Sequence, residues 1–151
     1  GAVLVKKEIY DTFMAQGGPE YMLEFAHGYT YSAHPVACAA GLAALDILER
    51  ENMVDKVKVL SPIFENAVHS LRGTKHVTDI RNYGLAAGLT LASMPGEPAR
   101  RPYEIAMKML DKGYYVRYGG DTIQWATPFV IEKAEIDSLI NALGESLGEV
   151  D

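Results

Sequence analysis

Two short stretches of this sequence carry side chains whose types and spacing suit gripping an anion. The first is Tyr29-Thr30-Tyr31-Ser32, which runs into an alanine-rich, helix-forming segment. A helix start presents N–H groups without intrahelical acceptors and the positive end of its dipole. Neighbouring hydroxyls add donors, so the place suits a phosphate. The plainer alternative is that Ser32 caps the helix and the tyrosines are core. The second stretch is Tyr114-Tyr115-Val116-Arg117-Tyr118-Gly119-Gly120-Asp121. Arg117, flanked by aromatics on a strand, offers a planar fork that matches a carboxylate bidentately. A partner such as Asp121, or a solvated strand face, would explain the same residue. Arg81 is a similar candidate at a strand end, where turn and pairing duties serve as well.

Other chemistries lack their residues. One cysteine and four scattered histidines make no zinc set, so no metal is expected. There is neither a glycine-rich phosphate loop nor a nucleophile elbow. Cys38, one turn into the helix, reads as a small buried hydrophobe, His34 as a structural first-turn histidine, and Arg100-Arg101 as a solvated loop pair. A net charge of -6 argues against a nucleic-acid partner. No apolar run is long enough to cross a bilayer, and nothing at the start reads as a signal peptide, so no membrane partner is expected. A single cysteine cannot form an internal disulfide, which fits a cytoplasmic location.

The frame that must position these residues is legible as periodicity. The chain has 151 residues, 48% of them apolar and 23% charged, enough for one compact domain. Gly1-Ala2-Val3-Leu4-Val5 reads as a buried strand, so the N-terminus is expected to be a cut through a larger domain. A short helix over 7–16 is broken by Gly17-Gly18-Pro19. A long helix over 34–51 has Ser32 as its expected N-cap, Pro35 in its first turn, and Val36, Ala40, Ala43, Ala44, Ile47 and Leu48 on one face. A second helix, 54–71, carries Val57, Leu60, Phe64, Val68 and Leu71, with Pro62 expected to kink or restart it.

Beyond Gly73 the period becomes two. Residues 76–81 form a strand, and Leu85, Ala87, Leu89 and Leu91 mark the next. Residues 93–98 are a loop, and a helix over 103–112 ends at Gly113. Strands over 114–118 and 122–126 make a hairpin at Gly119-Gly120-Asp121. The last helix, 132–148, aligns Ile136, Leu139, Ile140, Leu143 and Leu147. Paired strands with helices on one side imply an α+β layer.

The residues also carry a resemblance. The run His27-Gly28-Tyr29-Thr30-Tyr31-Ser32-Ala33-His34-Pro35-Val36-Ala37-Cys38-Ala39-Ala40 resembles the segment downstream of the cofactor lysine in class III aminotransferases, nearest the ω-amino acid:pyruvate (β-alanine:pyruvate) group. Gly1-Ala2-Val3-Leu4-Val5 resembles the strand after that lysine's loop. Asp79-Ile80-Arg81-Asn82-Tyr83-Gly84-Leu85-Ala86-Ala87-Gly88 resembles the entry to the small domain's sheet, and Val116-Arg117-Tyr118-Gly119-Gly120-Asp121 the family's substrate-carboxylate segment. The match runs in order along nearly the whole chain.

The resemblance implies a type I pyridoxal-phosphate transferase (α/β) parent. Residues 34–151 would be the long connecting helix and the C-terminal α+β small domain, a mostly antiparallel sheet covered by helices. Residues 1–33 would be a remnant of the large cofactor-binding domain. The parent would move an amino group from an ω-amino acid such as β-alanine to pyruvate, as a homodimer or higher homo-oligomer. By the same resemblance, Thr30, with Tyr29 beside it, would meet the phosphate of pyridoxal 5'-phosphate across the dimer interface, and Arg117 would bind the substrate carboxylate. The cofactor lysine is expected before Gly1, since Lys6 and Lys7 match neither it nor its partners. No catalytic residue is then expected in this chain, and the piece alone should be inactive. Another class III transaminase, an aminomutase, or a non-catalytic α+β interaction module are the competing readings.

Overall fold

The period-two alternation of Leu85, Ala87, Leu89 and Leu91 sets the central strand of a small sheet, with those four side chains buried. The computed structural model describes residues 1–19, 21 and 28–151. Strands β1 (Val77–Tyr83) and β2 (Ala86–Leu91) form one hairpin. Strands β3 (Arg117–Gly119) and β4 (Thr122–Ala126) form the other, joined where Gly119-Gly120-Asp121 predicts a turn. β4 pairs with β2, giving the order β1-β2-β4-β3 with every pair antiparallel. The strand expected over 114–118 is shorter than its pattern and begins only at Arg117.

Register decides which side chains share a face. Ile80, Leu89, Ile123 and Tyr118 lie opposite one another across the four strands. Directly paired residues point the same way, so these form an inner row, and Leu89 and Ile123 are fully buried in it. One residue along, Arg81, Gly88, Gln124 and Arg117 make the matching row on the outer face.

Three helices pack with the sheet: α3 (Met53–His69), α4 (Arg100–Asp111) and α5 (Lys133–Gly148). The expected stripe of α5 is buried in full, as are Phe64, Val68 and Leu71, with Val57 and Leu60 packed against the same core. Each such aliphatic or aromatic side chain contributes on the order of 2 kcal/mol by leaving water. Trp125 meets Phe64 edge-on at 6.5 Å between ring centroids. α5 is locked at its start where the Glu135 carboxylate accepts the Glu132 N–H at 2.8 Å.

α4 starts earlier than its pattern suggests and overturns the expectation for Arg100-Arg101. Arg101 is buried, and its guanidinium donates to the carbonyls of Asp151, at 3.0 Å, and of Ala92. Arg100 sits in the first turn between Glu97 and Glu104. The expected restart at Pro62 also does not occur. One helix runs from Met53 to His69 through it, with Pro62 on the exposed side.

Residues Gly1–Ile47 and Leu48–Asp151 form two compact units, the sheet and α3 to α5 belonging to the second. The first unit holds α1 (Lys7–Gln16), as expected, and most of α2 (Pro35–Arg50). Neither helix has a buried residue, so the apolar face of α2, with Val36 at 71% exposure, is uncovered. Gly1-Ala2-Val3-Leu4-Val5 is not a strand, and Val3 and Leu4 are each 91% exposed. A β-branched run has the side chains for a sheet, but a neighbouring strand must supply its ladder. The described strands all lie in the one sheet of the second unit. Cys38 is exposed rather than buried, as α2 has no buried residue.

Candidate functional site

Arg117 begins β3, an edge strand, and its side chain stands on the outer face of the sheet. Alternation sends the next residue, Tyr118, to the inner face, where its ring meets Tyr103 edge-on at 5.8 Å. The Arg117 guanidinium has no ion pair or hydrogen bond among the described residues. The alternative partner, Asp121, is committed elsewhere: its carboxylate accepts the Ala99 N–H at 2.9 Å. An exposed arginine on an ordered strand with its donors unused can receive a carboxylate from outside.

Arg81 stands at the other edge of the same row. Its Nη1 donates to Asp79 at 2.6 Å and to the Thr90 hydroxyl at 3.0 Å. Thr90 in turn shares a hydrogen bond of 3.1 Å with Thr122. The pairing duty expected of Arg81 is therefore real. An open groove of about 560 Å³ runs along this face, lined by Arg81, Arg117, Gln124 and Gly88 among others. Sequence reasoning missed Gln124 and Gly88. Their only signal is register, since Gln124 lies directly opposite both Gly88 and Arg117.

Tyr29 and Thr30 belong to the first unit, Arg117 to the second. Residues 30–33 form a turn in which the Ser32 N–H donates to the Tyr29 carbonyl at 2.9 Å and the His34 N–H to the Tyr31 carbonyl at 3.2 Å. Ala33 adopts φ 61° to close it. This turn displaces the expected cap. α2 starts at Pro35, and the cap position falls to His34, whose carbonyl accepts the Cys38 N–H at 2.9 Å. His34 also stacks with Tyr31 at 6.3 Å, in keeping with a structural role. Tyr29 is 78% exposed and Thr30 is exposed, so neither is core. Pro35 has no N–H, so the outward-facing amides of the first turn belong to Val36 and Ala37. Thr30, just ahead of them, adds a hydroxyl donor. His27, at the head of the resembling segment, lies outside the described residues.

No cluster of metal-ligating side chains occurs among the described residues, and no helix among them is long and apolar enough to cross a membrane. The chemistry available is anion recognition at two places.

Comparison with known proteins gives the family. The aminotransferase class-III family pattern matches residues 1–147. The beta-alanine–pyruvate aminotransferase of Pseudomonas aeruginosa is 54% identical over 150 residues, a span covering 99% of this chain and 34% of that protein. The omega-amino acid–pyruvate aminotransferase of Pseudomonas putida is 51% identical over 99% of this chain and 33% of its own length. The chain thus spans about a third of the length of these curated relatives. Among solved structures, an amine transaminase from an uncultivated Pseudomonas species, in its PLP-bound form, superimposes with a TM-score of 0.80 at 30% identity. That match covers 96% of this chain and 34% of the other. The adenosylmethionine-8-amino-7-oxononanoate aminotransferase of Methanocaldococcus jannaschii gives a TM-score of 0.80 at 32% identity, with the same coverage. The α+β layer of the second unit is that of a pyridoxal-phosphate aminotransferase small domain, and the chain belongs to the class III aminotransferase family.

Proposed function

We propose that this chain is the C-terminal part of an enzyme that transfers an amino group from an ω-amino acid such as β-alanine to pyruvate. In that assignment residues 1–33 belong to the large domain and 34–151 to the connecting helix and small domain. The observation that carries the reading is Arg117, an ordered arginine with unused donors on an open sheet face. It binds the carboxylate of donor or acceptor and so holds the reacting end of the substrate at a fixed distance from the sheet.

The donor set before α2 fits a phosphate. Thr30 offers a hydroxyl, Val36 and Ala37 offer outward N–H groups, and the helix start favours negative charge. Thr30 and Tyr29 would therefore hold the phosphate of pyridoxal 5'-phosphate, reaching a second subunit of a homodimer. When bound, that cofactor supplies the electron sink that aminotransfer needs. Exposed apolar side chains on α1 and α2, such as Phe13, Leu42 and Leu45, support a larger protein surface over the first unit. The free Cys38 supports a reducing compartment such as the cytoplasm.

The test uses the enzyme containing this segment. Arg117→Ala should lower kcat/KM for β-alanine and pyruvate by roughly ten- to a hundredfold, the loss of a charged hydrogen-bonded contact, and spare simple amines as donors. Equal loss for carboxylate and simple-amine donors would remove the role. Thr30→Ala should raise the dissociation constant of the cofactor, measured by its absorbance on dilution, and unchanged retention would sink the phosphate assignment.

A further inference from the structure

We propose that the outer face of the sheet is a two-cation platform that takes a small dicarboxylate, with one carboxylate on Arg117 and the other on Arg81. In the backbone row Gln124 falls between them. This rests on the reading of Arg117 as a carboxylate site and extends it to substrates with a second acidic group.

Register is the first support. Arg81, Gly88, Gln124 and Arg117 are successive partners across β1, β2, β4 and β3, so the two arginines rise from one row on one face. Strands lie about 4.8 Å apart, which separates the two backbones by roughly 14 Å. The Arg81 side chain closes part of that distance. A Cβ built at Gly88 would stand 3.5 Å from its Nε and 3.6 Å from both Cζ and Nη2. Three nearly equal distances mean the guanidinium lies flat over the glycine, one strand inward from its own backbone. Arg117 rises from the opposite edge, its backbone paired directly with Gln124.

The second support is which atoms are free. Asp79 and Thr90 both engage Nη1 of Arg81, which fixes the plane of the group. Nε and Nη2, the edge that binds a carboxylate bidentately, make no hydrogen bond among the described residues. The Gln124 side-chain amide is likewise without a hydrogen bond among them, and its nitrogen would lie 3.5 Å from a Cβ at Gly119 on β3, on the Arg117 side of the row.

Charge is the third. The chain carries 20 acidic and 14 basic residues. The groove lining holds two arginines and no acidic residue, and with Asp79 paired to Arg81 beside it the spot keeps one positive charge in excess on an acidic protein. Gly88 permits it, because a larger side chain would lift Arg81 off the sheet.

The probes are propionate and succinate, titrated into the 151-residue chain at low salt while the arginine Nε–H resonances are followed by NMR. Succinate should bind about tenfold more tightly than propionate, the value of one added charged contact, and should move the resonances of both Arg81 and Arg117. R81Q should leave propionate still moving the Arg117 Nε–H resonance and abolish the succinate advantage. G88V, which keeps the charge but displaces the guanidinium, should abolish it too. Equal affinities in the unaltered chain, with the Arg81 Nε resonance unmoved, would overturn the platform, and that reading needs no variant to fold. Propionate binding untouched by R117Q would instead overturn the Arg117 site beneath it.

Discussion

Helices α2 and α5 each have 16 residues, and α2 is the more apolar in composition, yet α5 buries seven residues and α2 none. The difference is not one of pattern, since both carry an apolar face at helical spacing. α5 has α3 and α4 to lie against within its own unit, and its buried side chains share one core with those of the sheet. An apolar stripe states that a face needs cover; it does not state what provides it. Side chains of one type should therefore differ in energetic weight between these two helices, and that is the sharpest way to break the comparison.

Leu143 on α5 is fully buried in the core, whereas Leu45 on α2 is 61% exposed. Leu143→Ala should cost the 151-residue chain about 3–4 kcal/mol in urea denaturation, combining lost transfer energy with a cavity. Leu45→Ala should change it by no more than about 0.5 kcal/mol, as surface substitutions do. Similar losses at the two positions would mean that α2 is covered in solution and that the contrast is false.

The same contrast explains what could be read in advance. Stripes such as Ile136, Leu139, Ile140, Leu143 and Leu147 were legible because local spacing and tertiary burial agree there. Gly1-Ala2-Val3-Leu4-Val5 was misread because a strand's partner is not written in the strand. Arg101 was misread for a related reason. Its carbonyl partners, Ala92 and Asp151, lie nine and 50 residues away, and no spacing rule announces them. Arg117 was legible by residue type and neighbours. Gly88 and Gln124 beside it were not, because they join its row only through the pairing of β2 with β4 and of β4 with β3. Ser32 fails as a cap through a detail of turn geometry, Ala33 at positive φ, that the sequence does not specify.

A smaller effect sharpens how the second unit is tied together. α4 ends in a left-handed cap: Gly113 has φ 89°, its N–H donates to Leu110 at 2.9 Å, and the Tyr114 N–H donates to Met109 at 2.8 Å. This pair of bonds satisfies carbonyls that the helix end would otherwise leave open, and it turns the chain toward β3. Gly113→Ala meets open space, so only backbone strain opposes it. The expected cost is about 1 kcal/mol in the urea midpoint analysis, larger than at Leu45 and well below Leu143. No loss would show that the cap relaxes freely and does not fix the start of β3.

The smallest expected effect concerns the ion pairs that join α4 to α5. Lys112, just past α4, contacts Glu145 at 2.8 Å and Glu149 at 3.0 Å, and Lys108 lies 3.3 Å from Glu149. Hydrogen bonds to Glu145 and then Glu149 hold the Lys112 ammonium above its ordinary range. Hydrogen bonds from Lys112 and then Lys108 hold the Glu149 carboxyl below its own. The two shifts bound a pH window. A depressed carboxylate contributes stability above its unfolded value and loses it as pH falls through the folded one. A raised ammonium contributes below its unfolded value and loses it as pH rises through the folded one. Lys112→Met should therefore lower the urea midpoint slightly and evenly around neutral pH. The difference from the unaltered chain should shrink as acid protonates Glu149, shrink again as alkali deprotonates Lys112, and shrink with added salt at any pH between. A difference that stays constant into acid would assign the effect to packing of the lysine's aliphatic stem. The ion pairs would then add nothing to the buried stripe of α5 that separates it from α2.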